Sequence, residues 1–156
     1  MNSLSLLAIS LLLACSLPGG HGSITARTQT SELGYHPSLP AEPLLPPLDP
    51  EQFRGDRNAF AAYTVAGQVK AVLYQVPCLC PCQKLAGHQS LLDCFVGRHG
   101  VHCHICQKEA LFCFLQTKKG KSPARIREAI AGKSFNKFDY EKYLARQFGQ
   151  IEAHTK

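Results

Sequence analysis

Apolar positions are arranged in three different ways along the 156 residues. From Leu4 to Leu13 they run almost without interruption, from Ser23 to Pro50 they are scattered among prolines, and from about Phe53 onward they recur at spacings that define secondary structure. Within the last region, Val65 to Val76 carries β-branched residues in partial alternation and stops at Pro77. One strand or a helix closing before the proline both fit, and a short strand near Val72 to Val76 is the preferred expectation. His88, Leu91, Leu92 and Phe95 lie at helical spacing and predict a helix from Gln83 or Ala86 to Val96, stopped by Gly97. Cys103, Cys106, Ala110 and Cys113 fall on one stripe of a helix from about His102 to Thr117. Gly120 ends it, Ser122 and Pro123 start another that turns Ile126 and Ile130 inward, and a last helix from about Asp139 to Phe148 buries Tyr140, Tyr143, Leu144 and Phe148. The expected fold is mainly α: a small single helical domain with at most a short strand or hairpin, built around a cysteine-rich centre.

The two leading regions set the expected organisation. The run from Leu4 to Leu13 is too short for a stable bilayer span but has the length of a signal-peptide core, although no Lys or Arg precedes it. It closes on Leu12-Leu13-Ala14-Cys15, which resembles the lipobox of bacterial lipoproteins, so Cys15 is the candidate lipidation site and membrane anchor. Cleavage near His21-Gly22-Ser23 and a short buried helix are the rival readings. Six prolines between Pro37 and Pro50 impose extended, stiff backbone and favour a tether over a Pro-rich ligand. The chain thus divides into a signal peptide over 1–22, a Pro-rich tether over 23–52 and a cysteine-rich domain over 53–150. The expected location is extracytoplasmic and membrane-anchored, periplasmic or on the outer cell surface. No further transmembrane span is expected.

Charge changes the picture little. The formal +6 comes largely from lysines and arginines after Lys118, mixed there with Glu128, Asp139, Glu141 and Glu152, as on a solvated helix surface. No nucleic-acid motif accompanies them, and nucleic acid is not an expected partner.

Chemistry concentrates in sulfur: seven of the eight cysteines lie between Cys78 and Cys113, starting with Pro77-Cys78-Leu79-Cys80-Pro81-Cys82. A looped Cys-x-Cys-x-Cys can converge its side chains, and Cys103-x-x-Cys106 on a helix presents two more sulfurs one turn apart. Together these supply the three or four thiolates that Cu(I), Zn or Hg(II) prefer. The candidate metal ligands are Cys78, Cys80, Cys82, Cys94, Cys103 and Cys106, with His88 beside them and Cys113 as a core residue. Copper as Cu(I) or zinc is the candidate cofactor, and a metal donor or acceptor protein the candidate partner. The main alternative is thiol-disulfide exchange with a thiol partner protein, in which Cys80 or Cys82 attacks. The other is a set of structural disulfides, which the odd count of seven disfavours. A hydrolytic dyad of Cys94 and His88 oriented by Asp93 has less support, because on one helix the two point about 240° apart.

Four blocks carry a resemblance: Pro77 to Cys82, His88 to Val96, Cys103-His104-Ile105-Cys106 with Glu109-Ala110, and Gly120-Lys121-Ser122 with Ile126-Arg127. In this order they resemble the uncharacterised PCYCGC-motif lipoproteins, whose CYCXC-type relatives include possible selenoproteins. Leu79 stands in place of the family's tyrosine and Pro81 in place of its glycine, which removes a hydroxyl and stiffens the loop. The resemblance implies lipid-anchored export and thiol chemistry, with no settled activity.

Overall fold

The computed structural model describes residues 34–149 of the chain; the leader, Cys15 and the alternative cleavage region lie outside the described residues. Among those described there are eight α-helices, two 3-10 turns and no strand. The mainly helical expectation is met, and the cysteines gather at the centre of one small domain.

The longest helices form the frame. Helix α1 (Arg57–Gln68) is capped by Asp56, whose carboxylate takes the amides of Asn58 and Ala59 at 3.0 Å. Its Ala59, Ala61, Ala62, Tyr63, Val65 and Ala66 are all buried, so the helix is enclosed on most of its circumference, and the alanines allow close approach. The short α2 (Lys70–Tyr74), α3 (Cys82–Ala86), α4 (Asp93–Val96) and α5 (His99–His102) carry the chain to α6 (His104–Lys118), which makes the largest helix contact with α1. Helix α7 (Pro123–Ala131), capped by Ser122, packs Ile126 and Ile130 on α6, and α8 (Tyr140–Phe148), capped by Asp139, buries Tyr140 and Leu144 against α1. Tyr143 and Phe148 are only partly buried.

Two local expectations are corrected. The segment expected to form a strand near Val72–Val76 is helical over α2: Leu73 N–H reaches Val69 O at 3.0 Å. Val72, Leu73 and Val76 are buried there, and the backbone bonds from the 91–92 turn are just two, Leu91 N–H on Val76 O (2.9 Å) and Leu92 N–H on Leu73 O (3.3 Å), with His36 N–H on Tyr74 O (3.2 Å) from the Pro-rich segment. That is too little pairing for a sheet, and helical bonding takes the remaining groups. The single helix expected up to Val96 is broken in two. Gly87 adopts φ 67°, a left-handed conformation that ends α3, and Asp93 then captures the amides of Gln89 (2.6 Å) and Ser90 (3.1 Å) in a turn that leads into α4.

Two points of the Pro-rich segment rest on the domain. His36 stacks on Tyr74 with ring centroids 3.9 Å apart, and Leu48 N–H donates to Phe95 O at 2.9 Å. Among the described residues no helix is long and apolar enough to cross a membrane.

Candidate metal centre

The loop bearing Cys78 and Cys80 is fixed at its base and at its tip. The two hydrogen bonds between 73–76 and 91–92 close the base, and Arg127 Nη1 donates to Gln75 O at 2.9 Å just before it. At the tip, Leu79 N–H donates to Glu109 Oε1 at 2.9 Å. Glu109 is fully buried on α6, and its Oε2 makes no hydrogen bond. Burial first, and then the charge of Cys78, push its carboxyl well above the usual carboxylate range.

From this loop Cys78 Sγ lies 3.3 Å from Cys80 Sγ and 3.4 Å from Cys106 Sγ, while Cys106 and Cys80 are 3.6 Å apart. Cys94, on α4, brings its Sγ within 3.4 Å of Cys106. These separations are well beyond the roughly 2.05 Å of a disulfide bond. Cys103 is the N-cap of α6 and Cys106 lies in its first turn, where the helix dipole favours thiolates.

Imidazoles complete the arrangement. His99 Nε2 is 3.6 Å from Cys80 Sγ, and His88 Nδ1 is 3.3 Å from Cys94 Sγ, with the two rings edge to face at 5.1 Å. The expectation that His88 and Cys94 point apart is thereby corrected: it assumed one continuous helix, and the break at Gly87 folds His88 back over Cys94. Asp93 does not orient this pair but holds the intervening turn through Gln89 and Ser90. His99 owes its position to α5, which is anchored by Gln107: its buried Nε2 donates to Gly100 O and Val101 O, both at 2.9 Å. Tyr140 O–H in turn donates to Gln107 Oε1 at 3.2 Å. Tyr63 O–H donates to Gly97 O at 2.6 Å and pins the turn between α4 and α5.

The sulfurs do not ionise alike. The thiol of Cys78 is drawn down to about 2, first by its hydrogen bond with Cys106 and then by that with Cys94. Cys103 is lowered to about 5, again chiefly through Cys106, whereas Cys106 is raised because it donates to its neighbours. Among the described residues, two sets of ligand atoms lie within 4.8 Å of one another: Cys80, His99, Cys103 and Cys106, and Cys78, Cys94 and Cys106.

Of the candidates drawn from the sequence, Cys78, Cys80, Cys94, Cys103 and Cys106 thus meet in one cluster, with His88 at its edge. Cys82 opens α3, and its side chain lies outside the described residues. Cys113 is buried farther along α6, its thiol raised first by burial. His102 and His104 are exposed. The sequence offers His99 as an imidazole source only alongside His88, His102 and His104, and gives Glu109 no role. Nothing in the spacing singles out His99 among these histidines or points to Glu109, because both reach the centre through tertiary packing.

A family model described as a protein of unknown function with PCYCGC motif matches residues 52–142. No curated protein and no solved structure matches the chain.

Proposed function

Because the chain belongs to the PCYCGC-motif family, whose description assigns no activity, the centre itself must carry the reading, and we propose that this protein binds and passes on a soft metal ion, Cu(I) or zinc, through its thiolate cluster. The observation that supports it is the convergence of five sulfurs and an imidazole from four separate segments within ligand distance. A tetrahedral Zn site with ligands at 2.0–2.3 Å has S–S edges of about 3.8 Å and S–N edges of about 3.6 Å. The Cys80–Cys106 and Cys80–His99 separations, both 3.6 Å, are close to these. Sulfur-rich donors select soft ions over Mg or Ca. The lipobox-like Leu12-Leu13-Ala14-Cys15 supports an extracytoplasmic protein anchored through Cys15, handing metal to or taking it from a partner at the membrane. In bound form such an ion would be held by Cys80, Cys103, Cys106 and His99.

The test is metal analysis with thiol counting on the anaerobically purified full chain. Near-stoichiometric Zn or Cu(I), lost in a Cys80→Ser/Cys106→Ser variant, is the expected result; equal metal in variant and parent removes the reading.

One observation favours thiol exchange as a second reading. Cys103 is partly exposed with a thiol lowered to about 5, and the buried Cys106 lies three residues on, as an attacking and a resolving sulfur require. This moves the attacking role from Cys80 or Cys82 to Cys103. A Cys106→Ser variant that traps no mixed disulfide with a model disulfide substrate eliminates it.

A further inference from the structure

The two ligand sets share one atom, Cys106 Sγ. Resting on the soft-metal reading, we propose that the centre holds two ions bridged by the Cys106 thiolate, one in each set.

Donor number argues for this. Cys80, His99, Cys103 and Cys106 already fill the four positions of a tetrahedral ion, leaving Cys78 and Cys94 outside. Both are buried, at 4% and 0% exposure, and both lie 3.4 Å from Cys106. With Cys106 they form a three-sulfur set, and His88 Nδ1 lies 3.3 Å from Cys94 Sγ. A thiolate sulfur has lone pairs enough to bind two ions at once, and Cys106 Sγ lies within 3.6 Å of Cys80 in one set and 3.4 Å of Cys78 and of Cys94 in the other.

Charge argues the same way. Five thiolates around one divalent ion leave a net charge of roughly −3, largely out of water, whereas two divalent ions leave roughly −1. Glu109 adds a buried carboxyl, Tyr63 has its hydroxyl raised to about 12 by burial, and the cations of Arg98 and Arg127 are turned elsewhere, over the Phe53 and Tyr35 rings. A second ion would offset the charge of the inner sulfurs further. Each thiol that ligates releases its proton to solvent.

The experiment is an anaerobic titration of the reduced full chain with Zn(II), read by native mass spectrometry, together with ¹¹³Cd NMR of the cadmium-substituted parent. Two zinc ions per chain are expected, falling to one in Cys94→Ser and to one in Cys103→Ser, in variants that keep the parent's helical circular dichroism. The cadmium spectrum should show two resonances split by mutual ¹¹³Cd–¹¹³Cd coupling through the shared sulfur. This needs no variant to fold. One ion per chain, or two uncoupled cadmium resonances, overturns the bridged pair and leaves the soft-metal reading standing. No bound ion overturns both.

Discussion

Glu109 is the residue on which the cysteine loop depends most directly. Its Oε1 receives the Leu79 amide between Cys78 and Cys80, and its environment disfavours the charged form. Replacing it by Gln keeps an acceptor of similar size without a charge. Glu109→Gln should therefore change the unfolding free energy of the reduced protein by less than about 1 kcal/mol, whereas Glu109→Ala, which orphans the amide and opens a cavity, should cost about 2–4 kcal/mol. Urea denaturation under reducing conditions distinguishes the two, and equal losses would show that Glu109 only fills space. The sulfurs themselves were legible because Cys-x-Cys and Cys-x-x-Cys spacings restrict where side chains can go. Glu109 was not: a Glu on a helix reads as solvent-facing until the partner across 30 residues of chain is known.

The short helices place the ligands, and α5 shows how narrowly. Its Gly100 lies against α4 so closely that a Cβ would meet Phe95 Cε1 at 2.8 Å and Cys94 O at 3.0 Å. Gly100→Ala must push α5 away from α4, carrying His99 from Cys80. The expected outcome is a loss of about 1–3 kcal/mol in stability with zinc affinity reduced at least about tenfold, measured by denaturation and by competition with a chelator. Unchanged affinity would mean that His99 does not ligate. Helices α6, α7 and α8 were readable from stripes and caps such as Ser122 and Asp139. Helix α1 was not, since its alanines are buried nearly all round and leave no amphipathic period. The Val65–Val76 stretch misled because β-branching favours strands only where a partner strand is available.

At the scale of the whole molecule, the centre ties together the 78–80 loop, α4, α5 and the start of α6, so ligand binding and folding are one equilibrium. An ion present at 100 times its dissociation constant adds about 2.7 kcal/mol, which for a domain near 100 residues raises Tm by roughly 10–20 °C. Chelation of the metal-loaded, reduced protein should lower Tm by that order in differential scanning calorimetry, and re-addition of zinc should restore it. No shift would mean that sulfur contributes to this fold only by packing. The single helical domain was legible in the periodicity, but the meeting of the three cysteine-bearing segments required the break at Gly87 and the turn held by Asp93.

Exposure across the cluster is one-sided. Cys103, His99 and His88 are partly open to solvent, while Cys78, Cys80, Cys94 and Cys106 are shut in. Under the proposed metal role, the centre would have a doorway and an interior: a visiting donor or acceptor would exchange ligands at the rim, and whatever sat deeper would leave last.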